Sequence, residues 1–330
     1  MNLGDVYEPI AYDLKTVEDL LRSSLSNTKN KSISAMNSLL LESAGKRIRP
    51  ALVILSNKAT SIGDKKTNGQ RGLIEIATAM ELIHIASLIH DDVLDKATMR
   101  HTRPSVNAQY GDDISIALGD YIYSKALQLI ANCRNLDVSA CISEAICVMC
   151  EGELTHVCQR GNLDLSKSRY IAIAKKKTAS LFAACCLAGA ILGNHNPAVQ
   201  TSLKEFGKNF GVAFQIIDDC KDVLSEESEL GKRPGQDIIA GDITLPLLIL
   251  SEIVGPVKRV KIRNMLGTGN DKDNLQKLKA MLVKSNALSR TCEVITSYLN
   301  TAKEHLNSLA DSVYKESLSK LIDYSMQRIS

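Results

Sequence analysis

Two groups of aspartates with the same spacing are the residues best suited to chemistry. The first set comprises Asp91, Asp92 and Asp95, and the second comprises Asp218, Asp219 and Asp222. If both sets are helical, the first and last carboxylates of each lie one turn apart on one face, while the middle one points about 100° away. Such a pair suits a hard cation such as Mg²⁺, which keeps waters and takes further oxygens from phosphate. The alternative is an acidic helix end in water.

The first set ends an apolar helical pattern. Residues 81–95 contain no Gly or Pro and repeat apolar side chains at helical spacing, which predicts one helix. Steps of three or four residues back from Asp91 lead to Ser87, His84 and Met80 on the same face. A histidine in such a helix is more often a core residue than a ligand, so His84 alone indicates no site.

The second set continues a helix face that also carries glycines and an amide. Gly207, Gly211, Gln215, Asp218 and Asp222 follow one another at steps of four, four, three and four residues. This spacing places them on one side of a predicted helix. Glycines on that side allow another group to approach the backbone closely.

Basic residues cluster after Gly45. Lys46 and Arg49 are three residues apart, and Pro50 follows in a position suited to the first turn of a helix. An arginine binds phosphate in bidentate fashion and a lysine binds it as a point charge. A solvated basic helix start explains these residues equally well.

Two further basic clusters stand near other predicted helices. Lys175–Lys177 precede Thr178 and an apolar run, and cations at a helix start hold anions together with the helix dipole. They are equally compatible with a solubilising helix end. Arg100, His101 and Arg103 follow the first set in a predicted loop, where they could bind an anion or pair with the aspartates.

The composition favours an all-α fold. Hydrophobic residues make up 45% of the 330 residues, aromatic residues only 4%, and there is no Trp. A chain rich in Leu, Ile and Ala, without the aromatic alternation of strands, is typical of helices. Forty Lys and Arg against 37 Asp and Glu give a net charge of +3, which argues against a nucleic-acid binder.

The nine cysteines and the apolar runs indicate a reducing compartment and no membrane span. The cysteines show no disulfide framework, and Cys147 and Cys150, which form a CxxC without a second pair, are expected to lie in the core. The N-terminal stretch has no signal or transit pattern. The run 179–192 is too short to cross a bilayer. We therefore expect a protein of the cytoplasm or an organelle interior, without a transmembrane segment.

Five ordered motifs together are more specific than any of them alone. They are GKRIRP (45–50), HIASLIHDDVLDKATMR (84–100), KKTASLF (176–182), FQIIDDCKD (214–222) and GKRPGQDIIAGDITLPLL (231–248). In this order they resemble the trans-type isoprenyl diphosphate synthases, the polyprenyl synthetase family. The resemblance covers nearly the whole chain. It implies one all-α domain over residues 1–330, a helical bundle around a deep central cavity, usually as a homodimer.

The resemblance also implies a role for particular residues. The ligands of Mg²⁺ are Asp91, Asp95, Asp218 and Asp222, with Asp92 and Asp219 in support. The groups that complete the allylic diphosphate site are Arg100, Lys177, Gln215 and Lys232, with Thr178 beside the allylic tail. The residues that bind isopentenyl diphosphate are Lys46, Arg49 and His84, with His101 where many members have a second Arg.

The implied reaction is metal-assisted ionisation of the allylic diphosphate, attack on the cation by the double bond of isopentenyl diphosphate, and loss of a proton. The protein supplies no nucleophile. Three residues depart from the family pattern. His101 replaces an arginine, His156 replaces a frequent glutamine, and Asp242 replaces the frequent lysine of a GKxTLP segment. All metal ligands are retained, so we expect activity.

Product length in this family depends on residues just before the first aspartate set, where bulk stops elongation. Ala86 and Ser87 are small, so the growing tail should pass. Ile83 or Met80 then forms a deeper floor, and Met80 lies about 16 Å of helix from Asp91. This predicts a product longer than geranylgeranyl diphosphate.

Three alternatives remain open. A geranylgeranyl diphosphate synthase would share all the motifs. A class I terpene cyclase would carry an Asn/Ser/Glu type of second metal motif and more aromatic residues than the 4% present. A non-catalytic partner subunit usually lacks carboxylates from one set, whereas both sets are complete here. The exact product, the primer and the pathway are not indicated by the residues.

Overall fold

The protein is described as a computed structural model, over residues 2–41, 45–61, 70–100, 103–193, 196–224, 235–266 and 272–328. Nearly all of these residues are helical, which confirms the predicted all-α class. The strands in this part of the chain are β1 (Met99–Arg100) and β2 (Arg103–Pro104), paired antiparallel. They lie in the stretch that was predicted to be a loop.

The helices are, in chain order, α1 (Leu3–Tyr7), α2 (Ala11–Ser26), α3 (Lys31–Leu41), α4 (Ile48–Thr60), α5 (Gln70–Leu94), α6 (Val106–Tyr110), α7 (Asp112–Cys133), α8 (Leu136–Cys158), α9 (Lys167–Ala174), α10 (Ser180–Gly193), α11 (Pro197–Leu224), α12 (Gln236–Ala240), α13 (Leu245–Ile253), α14 (Gly255–Met265), α15 (Lys272–Lys284), α16 (Ala287–His305) and α17 (Val313–Gln327). Short 3₁₀ turns cover Glu8–Ile10 and Leu306–Ser308, and Lys175–Ala179 form a π-helical segment between α9 and α10.

The chain divides into two compact units. Unit 1 comprises Met1–Ser143, Phe182–Gly207 and His305–Leu321. Unit 2 comprises Glu144–Leu181, Lys208–Glu304 and Ile322–Ser330. Each unit is described by itself below. That the chain works as one domain stays a prediction.

Helix α5 lies at the centre of unit 1, where α2, α4 and α7 pack against it. Its residues 73–83 are buried without interruption, since the sequence there is apolar on all sides of the helix. The two glutamates in this run have charged partners: Glu75 pairs with Arg71, and Glu81 pairs with Arg47. Buried carboxylates are tolerated only with such partners. Residues 81–94, which lead into the first aspartate set, form the second half of α5.

Close helix packing in unit 1 explains one of the glycines of the second motif. A Cβ added at Gly207 would lie 2.6 Å from the carbonyl oxygen of Phe182. A real Cβ cannot approach backbone so closely, so only glycine allows α10 and α11 to meet there. The group that approaches the backbone at Gly207 is thus a neighbouring helix.

In unit 2, α13 forms a strongly buried element. Residues 245–251 are all buried, and α9, α14 and α15 contact this helix. Pro246 lies in its first turn, where its missing N–H costs no helical hydrogen bond. Gly241 precedes the helix with a φ of 80° and accepts a hydrogen bond from the N–H of Gly161 at 2.7 Å. This contact fixes the residues around Asp242.

Two helical stretches of the described chain, Gln70–Leu94 and Lys167–Gly193, are long and apolar enough to cross a membrane by length and composition. Their most apolar windows are 72% and 56% buried within the protein. Core helices of globular proteins meet the same criteria, so the two stretches are weak evidence for a span. The second stretch is longer than the apolar run 179–192 because the helix includes Lys175–Lys177.

The expectation that the CxxC cysteines lie in the core is wrong. Cys147 and Cys150 are both exposed on α8, whereas Cys185, Cys186 and Cys220 are buried. None of the nine cysteines, all of which lie in the described part of the chain, forms a disulfide bond. Burial raises the pKa of Cys186 to about 12, which keeps that thiol protonated and unreactive. The exposed pair faces away from the core because its two members occupy the solvent side of an amphipathic helix.

Candidate active site

The first aspartate set lies at the C-terminal end of α5, in unit 1. The N–H of Asp95 donates to the carbonyl oxygen of Asp91 at 2.8 Å, so the helical turn continues through Asp95 although α5 ends at Leu94. Asp91 and Asp95 are both partly accessible. The predicted arrangement of two carboxylates one turn apart on one face is therefore present.

Asp92 has a different environment from its neighbours. Its side chain is 5% exposed and accepts hydrogen bonds from Arg100 Nε at 2.9 and 2.8 Å and from Nη2 at 2.7 Å. Burial alone would lower the pKa of Arg100, but the bonds and charge of Asp92, with the charges of Asp91 and Asp95, raise it above its ordinary value. Asp92 thus positions Arg100 beside the two accessible carboxylates.

The face of α5 that leads away from Asp91 remains partly accessible. His84 and Ser87 are half-buried on this face, and the Ser87 hydroxyl donates to the carbonyl oxygen of His84 at 2.9 Å. Ala86, the other small residue predicted to admit the tail, is completely buried. Met80 and Ile83, the predicted deeper floor, are also completely buried. Ser87 is therefore the better placed of the two small residues to meet a bound molecule.

The basic cluster at the start of α4 contains two ion pairs that its spacing did not indicate. Arg47 adopts a left-handed φ of 52° and bonds to Glu18 and Glu81, each at 2.9 Å. The Lys46 carbonyl accepts a hydrogen bond from the Tyr7 hydroxyl at 2.9 Å. Arg47 therefore fixes the turn that presents the candidate ligands on either side of it.

Arg49, the second candidate ligand of this cluster, lies with its guanidinium 4.8 Å from the ring centre of Phe182, in unit 1. A cation over an aromatic face is held by the ring quadrupole. Lys46 is exposed by comparison. His101 and Lys232, two further predicted ligands, lie outside the described residues.

In unit 2, the three aspartates of the second set have three different environments. Asp218 is 44% exposed and accepts a hydrogen bond from Arg328 at 2.6 Å. Asp219 is buried, and Asp222 is buried with Oδ2 accepting the N–H of Asp237 at 3.0 Å. The carbonyl oxygen of Asp222 accepts the N–H of Gly235 at 2.7 Å. Asp222 therefore holds the backbone at Gly235 and Asp237 against the end of α11.

A hydrogen-bonded chain holds Asp219 in place. The Tyr170 hydroxyl donates to one carboxylate oxygen and Gln215 Nε2 donates to the other at 2.7 Å, while Thr178 Oγ1 donates to Gln215 Oε1. Burial raises the pKa of Asp219 to about 6, against the opposing effect of the Tyr170 and Gln215 bonds. Thr178 and Gln215, both predicted to meet substrate, are thus joined to the second set.

Tyr170 was not predicted as a site residue, although a signal existed. It precedes Lys177 by seven residues, which is two helical turns, and so shares its side of a helix. Its hydroxyl is the group that meets Asp219. A polar aromatic residue two turns from a candidate ligand could have been included on that basis.

Lys177 lies inside a continuous helical stretch, so the interpretation of Lys175–Lys177 as a helix start is wrong. The π-helical segment carries them, and such segments occur often at functional sites. Lys177 Nζ bonds to Glu153 at 2.8 Å and lies 3.1 Å from His156 Nδ1. A Cβ at Gly152 would be 2.3 Å from the backbone nitrogen of Lys177, so glycine is needed for α8 to pack here.

Two of the three departures from the family pattern are neighbours in unit 2. His156 Nε2 lies 3.4 Å from Asp242 Oδ1, and Arg160 Nε donates to the same oxygen at 2.8 Å. Lys177 Nζ lies 3.1 Å from Nδ1, so the imidazole stands between Lys177 and Asp242. The acidic residue at 242 is therefore neutralised by Arg160, and His156 connects it to Lys177.

Glu153 provides a prediction of pH dependence. Burial alone would raise its pKa, but the bonds and charges of His156 and Lys177 lower it to about 2 from an ordinary 4.5. A lowered folded-state pKa stabilises the protein above pH 4.5, and the stabilisation is lost as the pH falls towards 2. We expect Glu153→Gln to lower the melting temperature at pH 7, with a difference from wild type that shrinks as the pH falls through this window.

Thermal unfolding followed by circular dichroism at a series of pH values measures this difference. Glu151→Gln is a matched control, because Glu151 pairs with Lys176 on the surface and both side chains are about half exposed. A melting-temperature difference for Glu153→Gln that is independent of pH would contradict the assignment.

The donor groups of both sets suit a hard divalent cation. Their accessible atoms are carboxylate oxygens, and Asp91 with Asp95 provides two of them on one face. Within the described ranges, no group of three or more His, Cys, Asp or Glu side chains is gathered as a metal site. Two carboxylates fit Mg²⁺, which is often bound by one or two carboxylates together with waters and substrate phosphates.

Comparisons with known proteins agree with the motifs. The profile of the polyprenyl synthetase family matches residues 30–283. A short chain isoprenyl diphosphate synthase of Methanothermobacter thermautotrophicus is 32% identical over 318 residues, covering 94% of this chain and 95% of the relative. The octaprenyl diphosphate synthase of Escherichia coli is 31% identical over 328 residues, covering 99% of each chain.

Among solved structures, the chain is similar to a polyprenyl synthase from Caulobacter crescentus that was crystallised with calcium and isoprenyl diphosphate. The TM-score is 0.93 at 27% sequence identity, and the match covers 100% of this chain and 98% of the other. The similarity therefore extends through the helices that carry both aspartate sets.

Proposed function

Because this chain belongs to the polyprenyl synthetase family, and is a prenyltransferase that makes a polyprenyl diphosphate, we propose that it condenses isopentenyl diphosphate with an allylic prenyl diphosphate to give a product longer than geranylgeranyl diphosphate. The observation that carries the proposal is the pair of complete aspartate sets, each with an accessible carboxylate and an arginine beside it.

The residues that would hold Mg²⁺ are Asp91, Asp95, Asp218 and Asp222. Bound Mg²⁺ would neutralise the charge that develops on the departing diphosphate. Asp91, Asp95 and Asp218 are partly accessible, which supports their role as direct ligands. Asp222 is buried, and its Oδ2 accepts the N–H of Asp237. This bond would hold the end of α11 and keep the other carboxylate oxygen of Asp222 in place as a ligand.

Cationic groups of the protein would bind the two diphosphates. Arg100 and Lys177 are already oriented by carboxylates, Asp92 and Glu153 respectively, and so need little reordering to meet the allylic diphosphate. His101 and Lys232 are proposed contacts on sequence grounds alone. Thr178 and Gln215 position Asp219, and we propose them as further contacts of the allylic substrate.

The isopentenyl diphosphate site would comprise Lys46, Arg49 and His84, all of unit 1. Two observations support this assignment. Arg47 fixes the basic turn that carries Lys46 and Arg49, and His84 is half-buried on the accessible face of α5. Arginine and lysine together offer bidentate and point-charge contacts to a diphosphate. The protein aligns the substrates and excludes water, while the proton leaves with the released diphosphate.

The long product is supported by the small side chains before the first set. Ser87 lies on the accessible face of α5, and neither Ser87 nor Ala86 has the bulk that would stop a tail. The octaprenyl relative agrees with a long product, while the short-chain relative keeps geranylgeranyl diphosphate as the second candidate.

We further propose that the chain acts as one domain within a homodimer, in the cytoplasm or an organelle interior. In support of a dimer, Ile116 and Leu127 are exposed by 47% and 51% on α7. They are eleven residues apart, which places them on one helix face. In a dimer these two apolar side chains would be covered by the second copy.

The test is to incubate the purified protein with Mg²⁺, isopentenyl diphosphate and allylic primers of increasing length, and to size the products by chromatography. We expect linear prenyl diphosphates longer than geranylgeranyl diphosphate, and none after chelation of Mg²⁺. Termination at geranylgeranyl diphosphate would favour the second candidate. Cyclic hydrocarbons would indicate a cyclase, and turnover only with an added protein would indicate a partner subunit.

A further inference from the structure

The accessible carboxylate of the second set is already bound to a cation near the C-terminus of the chain. Arg328 follows α17, and its Nη2 donates to Asp218 Oδ1 at 2.6 Å. The same guanidinium lies 5.0 Å from the ring centre of Phe214, one turn before Asp218 on α11. Arg328, Phe214 and Asp218 all belong to unit 2.

The environment of Arg328 is unusual for an arginine. Its side chain is only 8% exposed, and its Nε and Nη1 atoms are buried with no hydrogen-bond partner among the residues that the structure describes. Removing a guanidinium from water is costly unless its donors are used. The bond to Asp218 and the contact with the Phe214 ring offset part of this desolvation cost. Arg328 is thus held at Asp218 by one strong contact and an aromatic surface.

The arginine beside the first set, Arg100, binds a different kind of carboxylate from the one that Arg328 binds. Arg100 bonds through two nitrogens to the buried Asp92, which is the member of that set that points away from Asp91 and Asp95. Arg328 bonds instead to Asp218, the most accessible aspartate of the second set. The two arginines therefore differ in whether they occupy a carboxylate that is suited to binding a metal.

We propose that Arg328 is a tethered counter-ion that Asp218 exchanges for the divalent cation. The inference rests on the proposed function, since it requires Asp218 to bind Mg²⁺. A guanidinium and a divalent cation on one carboxylate repel each other at close range. In the proposed exchange Nη2 leaves Oδ1 when the metal binds, so that Asp218 no longer holds two positive groups at once. The second set then binds metal more weakly than its carboxylates alone would, and metal binding loosens the chain end that carries Arg328.

Binding of Mn²⁺ alone, followed by electron paramagnetic resonance of the free ion, tests the exchange without turnover. Full-length wild type, Arg328→Gln and Arg328→Lys are compared, with Asp218→Asn to identify the second set. Loss of an ion pair of this kind is expected to tighten Mn²⁺ binding about two- to tenfold in Arg328→Gln. Arg328→Lys should fall between the two, because it keeps the charge without the planar fork.

Arg263→Gln is the matched control. Arg263 also belongs to unit 2 but is half exposed and pairs with the exposed Asp164, so its loss should leave Mn²⁺ binding unchanged. Circular dichroism spectra establish that each variant is folded. Hydrogen exchange of residues 322–328 in wild type provides a second measurement that needs no variant, and exchange there should accelerate when Mn²⁺ is added.

Unchanged or weaker Mn²⁺ binding in Arg328→Gln, or exchange at 322–328 that Mn²⁺ does not accelerate, would overturn the counter-ion role while leaving the proposed function intact. Wild-type protein that binds no Mn²⁺, or Asp218→Asn that binds it as wild type does, would overturn the proposed metal role of the second set and this inference with it.

Discussion

Replacing Asp91 with asparagine is expected to lower kcat by about two to three orders of magnitude while the protein stays folded. Asp91 is partly accessible at the end of α5, on the same face as Asp95. Asparagine keeps the shape of the side chain but removes the negative charge that a divalent cation requires. The loss should therefore fall on metal-dependent ionisation of the allylic substrate rather than on the helix.

Turnover of labelled isopentenyl diphosphate at saturating Mg²⁺ measures the effect, and a Mg²⁺ titration shows whether metal affinity falls with it. Asp113→Asn is a suitable control, since Asp113 is an exposed carboxylate at the start of α7. Turnover in Asp91→Asn within a few-fold of wild type would exclude Asp91 as a metal ligand.

Asp92→Asn should differ from Asp91→Asn in its stability. Asp92 is buried and holds Arg100 by three contacts of 2.7 to 2.9 Å. Its loss leaves a partly buried guanidinium without its carboxylate, which is costly for the folded state. A lower melting temperature in Asp92→Asn, together with an unchanged one in Asp91→Asn, would separate a positioning role from a ligand role.

Replacing Ser87 with phenylalanine is expected to shorten the product by several isoprene units. Ser87 lies on the accessible face of α5, four residues before Asp91, where a tail that starts at the first aspartate set would pass. A phenyl ring at this position adds bulk where the growing chain must go. Chromatographic sizing of products made from one primer, with wild type and variant in parallel, measures the change.

Ala86→Phe is expected to shorten the product as well, with an added cost in stability. Ala86 is completely buried, and forcing a large side chain into a packed core costs about 1–3 kcal/mol. Ser124→Phe, at an exposed position of α7, is the control for a general effect of the added ring. An unchanged product spectrum in both Ser87→Phe and Ala86→Phe would remove these positions from length control.

The periodicity of the sequence was sufficient to predict the local arrangement of the candidate site. The spacing of Asp91 and Asp95, and the run of apolar residues before them, predicted a helix with two carboxylates on one face, and α5 has this form. The helix of the second set was likewise predicted from the steps between Gly207 and Asp222. Composition alone indicated the all-α class.

Only the tertiary structure decided how exposed two adjacent small residues are. Ala86 and Ser87 are both small and adjacent in the sequence, yet Ala86 is buried in the core and Ser87 is partly accessible. The lysines 175–177 had the pattern of a helix start but lie in a π-helical segment of a longer helix. Which side of a helix is covered depends on its neighbours, and local spacing does not contain that information.

The partners of the candidate residues were decided by packing alone. Arg328 meets Asp218 across 110 residues of chain, and Tyr170 meets Asp219 across 49. His156 and Asp242 were separate departures in the sequence and are neighbours in unit 2. The sequence by itself determined which residue types lie on one face, because helical periodicity repeats every few residues. Partners far apart in the chain were determined only by the tertiary structure, because they meet where buried surfaces of distant helices come into contact.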